Sequence, residues 1–263
     1  LPPKPRVCAV SYLNTVPLVW GFLNSPSLRD MFDLRFALPS ACADQMARGE
    51  AEIGILPVIE MARQGLDYFP GTGIACRGPV RTILLLSKVP FEQIRTLAAD
   101  SGSRTSVMLS RVILAERYGA TPTVATRVAN LEEMLAHADA ALIIGDPALH
   151  IDPATTPYRC LDLGDEWVKM TGLPMVFAVW SARSELIQEP YIKAFRNSCV
   201  YGLNHMDDIV RQESSLRQVP APLTRAYLTK HIVFELEDKD YEGMRRYLEL
   251  ALSLDRRGEK TLA

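Results

Sequence analysis

The 263-residue chain is 48% hydrophobic and 23% charged, and its 29 Lys and Arg against 31 Asp and Glu leave a formal net charge of -2. That is ordinary globular composition, enough for one large or two small domains, without the basic excess or dense basic stripe of a nucleic-acid binder. The longest apolar runs, Ile83 to Leu86 and Met175 to Trp180, are far too short to span a bilayer.

The five cysteines, Cys8, Cys42, Cys76, Cys160 and Cys199, are odd in number and scattered, with no C-x-x-C pair. This argues against a disulfide framework or a zinc site and for a reducing compartment. Most sit in apolar runs and read as small core residues. No charged start with an apolar h-region precedes the first strand-like run. A cytoplasmic location is therefore expected. The sequence carries no signal for an oligomeric state.

From the N-terminus, strand-like runs alternate with amphipathic ones. Arg6 to Tyr12 predicts a strand, and Thr15 or a neighbour caps a helix to about Asn24. Phe32 to Leu38 and Glu52 to Leu56 are further strands, separated by a helix that Ser40 caps and Gly49 ends. This β-α-β-α-β order implies a mostly parallel sheet covered by helices. Extended runs follow at Gly73 to Arg77 and Val80 to Lys88. A second alternation comprises strand Thr96 to Ala99, helix Arg104 to Tyr118, strand Thr121 to Arg127, helix 131 to 137 and strand Ala140 to Gly145. Asn130 with Glu133 forms a capping box before the second of these helices. After Val176 to Trp180 helices dominate, apart from a short strand near His231 to Leu236.

Two β-α-β units without a Gly/Ser-rich linker suggest an α/β fold of two lobes, one inserted in the other. Val80 to Lys88 and Met175 to Ser181 are the expected crossing strands. One lobe is expected to hold residues 1–85 and 178–263, the other 86–177.

No phosphate loop, H-E-x-x-H or G-x-S-x-G motif is present. Gly71-Thr72-Gly73 resembles half a dinucleotide fingerprint, but Cys76 replaces the third glycine and a strand-connecting turn explains it better. His205 and Asp208 lie one helical turn apart, where a solvated face is favoured over a metal pair. No metal or cofactor is expected. What remains is a set of small polar residues at strand ends. Ser11 to Thr15 ends the first strand of one lobe, and Ser101-Gly102-Ser103-Arg104-Thr105-Ser106 occupies the corresponding place in the other. Ligands of open α/β sheets sit beyond the carboxyl ends of strands, where helix N-termini offer free N–H groups suited to a carboxylate. Each turn alone is a helix cap; two of them, one per lobe, make a binding site as good a reading. Thr82 interrupts an aliphatic strand and is either a comfortable strand residue or a hydroxyl facing a cleft. Gly145-Asp146 ends another strand, and Asp146 is expected to cap the turn before Pro147 rather than to orient a neighbour.

The run Val10-Ser11-Tyr12-Leu13-Asn14-Thr15-Val16-Pro17-Leu18 resembles the opening signature of chorismate dehydratases, which act early in the futalosine route to menaquinone. Gly78 to Thr82, Ser103 to Val107, Ile144 to Asp146 and Thr171 to Trp180 continue the resemblance in the family's order. It covers roughly the first 180 residues. It implies the two-lobed fold of type II periplasmic solute-binding proteins, with two hinge-crossing strands. It also implies loss of the C4 hydroxyl and a C3 proton from the dicarboxylate chorismate, leaving 3-enolpyruvylbenzoate. Asn14 is implied as the key side chain, with a hydroxyl at position 82 and a carboxylate-binding turn at Thr105 and Ser106. Ser11, Ser103, Gly145 and Asp146 complete the expected substrate site. Some relatives carry Ser in place of Thr82.

None of the four histidines falls within these motifs, so the substrate's own enolpyruvyl carboxylate is the expected proton acceptor. Two rivals stand beside this reading. One is a non-catalytic solute-binding protein of the same fold, which would need an export signal. The other is the related 1,4-dihydroxy-6-naphthoate synthase, whose opening motif carries an acidic residue before the threonine where this chain has Asn14.

Overall fold

A computed structural model describes residues 4–100, 102 and 104–261. The chain starts as β1 (Arg6–Val10), a 3₁₀ turn at Leu13–Thr15, α1 (Val16–Asn24), β2 (Asp33–Ala37), α2 (Pro39–Ala47), β3 (Ile53–Pro57), α3 (Val58–Arg63) and β4 (Asp67–Cys76). It continues as β5 (Ile83–Ser87), β6 (Thr96–Asp100), α4 (Arg104–Tyr118), β7 (Thr123–Arg127), α5 (Leu131–His137), β8 (Ala140–Ile144), α6 (Asp146–Leu149), β9 (Arg159–Asp162) and α7 (Leu163–Thr171). The last elements are β10 (Met175–Ala182), α8 (Glu189–Asn204), α9 (Met206–Arg217), α10 (Ala221–Ala226), β11 (Val233–Glu235) and α11 (Asp238–Thr261). Among the described residues no helix is long and apolar enough to cross a membrane.

The strands form two sheets, ordered β11-β4-β10-β3-β1-β2 and β7-β6-β8-β5-β9. The expected α/β architecture is therefore present, with one sheet in each of two compact units. The first unit comprises residues 1–75 and 176–238, the second residues 76–175 and 239–263. The chain thus passes between units near residues 75, 175 and 238. Ile83–Ser87 is a wholly buried strand of the second sheet, paired with β8 on one side and β9 on the other.

In the first unit, β1 pairs in parallel with β2 and β3, as the β-α-β-α-β order requires. Phe195 of α8 anchors the core, with ring centroids 5.2 Å from Phe22, 5.2 Å from Phe32, 4.9 Å from Phe69 and 4.6 Å from Trp180. Helices α1 and α8 approach closely because Gly202 lies against the Pro17 carbonyl. A Cβ there would stand 2.0 Å from that oxygen. Ser198 Oγ donates to the Leu18 carbonyl at 2.8 Å and accepts from Phe22 N at 3.2 Å, fastening the same interface.

In the second unit, Leu84, Leu86, Ala98, Met134, Leu135, Ala141 and Ile143 form one buried cluster. The C-terminal helix joins this unit rather than the first, to which its position in the chain had assigned it. Tyr247 is fully buried, sits edge-on to Trp167 and donates from its hydroxyl to the Thr105 carbonyl at 3.0 Å. The Asp240 carboxylate is buried and takes both Nε and Nη2 of Arg77.

Several local expectations need correction. The N-cap of α2 is Leu38, and Ser40 lies inside its first turn. Gly71 to Gly73 is interior to β4 and no turn, although Gly71 has a positive φ of 96°. The helix-surface reading of His205 and Asp208, by contrast, agrees with the structure: His205 is the cap residue of α9 with its ring Nδ1 on the Tyr201 carbonyl, and exposed Asp208 pairs with Arg211.

Candidate functional site

In the second unit the sheet register gathers most of the residues singled out above. β6 and β8 run parallel, and β5 runs antiparallel to β8 with Ile83 opposite Ile144. The carboxyl ends of β6 and β8 therefore lie at the same edge as the start of β5, the usual ligand edge of an α/β sheet. Thr82 precedes β5 and is 1% exposed; its carbonyl accepts the Gly145 amide at 2.9 Å. Gly145 itself has φ 66° and ψ -148°, a region open to glycine but hostile to side chains.

Asp146 is the first residue of α6, one place inside the cap position, which belongs to Gly145 rather than to Asp146. At the next strand end α4 begins with Arg104, followed by Thr105 and Ser106, both buried. Their first-turn position places them where a helix leaves N–H groups unpaired by its own carbonyls. Ser103 lies outside the described residues.

Two features at this edge were not read from sequence. Asp100 ends β6, is buried, and accepts the Gly102 amide at 2.9 Å. Burial pushes its carboxyl above the usual carboxylate range, against the pull of amides from Gly102 and Ile144. A carboxylate directly after the apolar Leu97-Ala98-Ala99 is the signal that could have found it. The second feature is Arg81, whose φ of 71° is left-handed without ending a helix. Backbone in that region costs a side-chain-bearing residue about 1–3 kcal/mol and survives only where its surroundings enforce it.

In the first unit, Ser11 follows β1 and is exposed; its amide and hydroxyl both reach the Ala37 carbonyl, at 3.0 and 3.3 Å. Arg217 donates to the Ser11 carbonyl at 3.0 Å. Asn14 sits in the 3₁₀ turn that joins β1 to α1, with Pro17 within the first turn of that helix. Its Oδ1 is buried and accepts no hydrogen bond. Thr15 Oγ1, beside it and also buried, is unpaired too. Thr15 is the cap residue of α1 by position, but its side chain makes no capping bond. Buried polar atoms are nearly always satisfied, so two orphans on consecutive residues need an explanation.

A recess of this unit, about 880 Å³ and lined by Lys4, Arg6, Asp33, Glu52, Leu186 and Tyr191, lies elsewhere. It opens at the amino ends of β1 and β2, opposite Asn14, and its Arg6 and Glu52 already pair with each other.

A sequence model of the family described as menaquinone biosynthesis matches residues 5–253. The chain belongs to the menaquinone biosynthesis family. Among curated proteins, this family member is 27% identical over 256 residues to a chorismate dehydratase of Thermus thermophilus, covering 90% of this chain and 92% of the relative. Solved structures place the family's fold. A protein of Archaeoglobus fulgidus superposes with a TM-score of 0.76 at 15% identity, over 96% of this chain and 98% of that one. The periplasmic aliphatic sulphonate binding protein of Escherichia coli gives 0.65 at 14% identity, over 97% and 88%. A Candida albicans protein described as having the generic periplasmic binding protein fold gives 0.59 at 15%, over 95% and 90%. The fold is thus that of periplasmic binding proteins, in line with the two-lobed expectation.

Proposed function

We propose that the chain is a chorismate dehydratase: a carbon–oxygen lyase that converts chorismate to 3-enolpyruvylbenzoate and water in the cytoplasm, without metal or organic cofactor. The observation that carries this reading is the buried, unpaired Oδ1 of Asn14, within a motif that resembles the signature of these enzymes. The curated Thermus thermophilus relative supports it over most of both chains.

The chemistry asks little of the protein. Loss of the C3 proton and the C4 hydroxyl makes the ring aromatic, so positioning is the main task. The electron pair of the C3–H bond becomes a ring π bond as the C4–O bond breaks, and the departing hydroxide leaves as water once the proton taken from C3 is delivered to it. In this reading the substrate's own enolpyruvyl carboxylate accepts the C3 proton. The Asn14 amide donates to a carboxylate or to the leaving hydroxyl and accepts from a hydroxyl, without adding charge near a dianion. Thr82, Thr105 and Ser106 anchor a carboxylate, helped by the positive end of α4. Ser11, Ser103, Gly145 and Asp146 shape the remaining contacts.

The test is ultraviolet spectroscopy of purified protein with chorismate, with and without exhaustive chelation. Disappearance of chorismate and growth of an aromatic product, unchanged by chelation, is the expected result. Binding without turnover would mark a solute-binding protein. Turnover of a cyclic futalosine-type substrate instead would mark a dihydroxynaphthoate synthase.

A further inference from the structure

Arg81 combines a strained backbone with an unusually complete set of main-chain partners. Its own amide donates to Asp162 Oδ2 at 2.6 Å, and the preceding amide of Val80 donates to Oδ1 of the same carboxylate at 2.9 Å. Asp162 also caps α7, taking the amides of Gly164 at 3.0 Å and Asp165 at 3.2 Å. One carboxylate therefore ties the 80–81 turn to the start of a helix. The Arg81 guanidinium points the other way, donating through Nη1 to Ala148 at 2.9 Å and through Nη2 to Ile151 at 2.6 Å and Leu149 at 3.5 Å. These carbonyls lie at the C-terminal end of α6 and just beyond it, where a cation is favoured.

The next residue is Thr82, whose carbonyl takes the Gly145 amide at the other end of α6. The helix that Arg81 grips with its side chain is thus bonded to the adjoining main chain as well. Each of the two segments joined by that bond holds a residue at positive φ, 71° at Arg81 and 66° at Gly145. Strain of this kind persists where surrounding bonds over-determine a conformation, and such positions cluster at ligand clamps.

We infer that Arg81 is a positioning residue: clamped by Asp162 and α6, it fixes Thr82 and the Gly145–Asp146 turn in the geometry that receives the substrate carboxylate. The inference rests on the dehydratase reading for its substrate but not for its clamp. A planar guanidinium serves several carbonyls at once, and a lysine ammonium does not reproduce that fork. A glycine at this position relieves the backbone strain yet supplies no fork.

The experiment compares wild type, Arg81→Gly, Arg81→Lys and Thr82→Ala by chorismate kinetics, thermal melting and amide hydrogen exchange. Arg81→Gly is expected to melt cooperatively and to raise KM about tenfold or more, with a smaller change in kcat, as displaced positioning groups do. Millimolar guanidinium should recover part of that loss in Arg81→Gly and none in Thr82→Ala. The Gly145 amide should exchange faster in both Arg81 variants, a readout that needs no substrate. If Arg81→Gly does not fold, Arg81→Lys carries the same comparison. Wild-type KM in a folded Arg81 variant, or unchanged exchange at Gly145, would overturn the clamp. Faster exchange in a protein that leaves chorismate intact would uphold the clamp and overturn the dehydratase reading instead.

Discussion

The Gly145 amide donates to the Thr82 carbonyl at 2.9 Å, joining a strand end to a strand start through two residues from separate motifs of the sequence. Gly145 can make that bond because it carries no Cβ at φ 66° and ψ -148°. Gly145→Ala should therefore destabilise the protein by about 1–3 kcal/mol, the usual cost of such backbone. Urea unfolding measures it, and turnover should fall by more than the folded fraction does.

Ser106 sits in the first turn of α4 and is 2% exposed. If it anchors a carboxylate, Ser106→Ala removes a charge-assisted hydrogen bond worth about 1.5–3 kcal/mol. Chorismate affinity, measured by calorimetry, should weaken by roughly that amount, with a melting temperature close to wild type. Unchanged affinity would reduce the residue to a buried member of the helix start.

Much of this architecture is legible because its signals are local. Helix Arg104–Tyr118 runs between the residues expected from its periodicity, and the Asn130 side chain accepts the Glu133 amide at 3.1 Å as the capping box requires. What escaped the sequence depends on partners distant in the chain. The bonds that place Arg81 come from residues 67 to 81 positions away, so no window of sequence shows why it turns left-handed. The membership of α11 likewise follows from Tyr247 and its contact 142 residues away. Asn14 was legible through its motif, whereas the lack of a partner for its Oδ1 required coordinates.

Burial raises the pKa of Asp100 above the unfolded value. The sign follows from linkage: the folded state holds the proton more tightly, so Asp100 supports folding fully at pH below the unfolded carboxylate value. That support is lost as pH rises through the folded value. Asp100→Asn removes this term. The stability of the variant relative to wild type should therefore be greater at about pH 7 than at about pH 4, the unfolded aspartate value. A difference independent of pH would show that Asp100 titrates alike in both states.

Phe195 touches four aromatic rings of the first-unit core. Phe195→Ala should cost about 3–5 kcal/mol. The expected consequence is a large fall in the urea midpoint, unlike Ser106→Ala or Asn14→Asp.

Asn14 tests the central claim most directly. Asn14→Asp keeps the side chain's size but replaces an amide, able to donate and accept, with a charge that repels a dianion. Wild type and variant should be compared for melting temperature and chorismate turnover on the same preparations. A folded Asn14→Asp protein is expected, with its dehydration rate reduced by roughly 10²-fold or more, the scale of a preorganised contact in a site that excludes water. Turnover near wild type in that folded variant would contradict the claim.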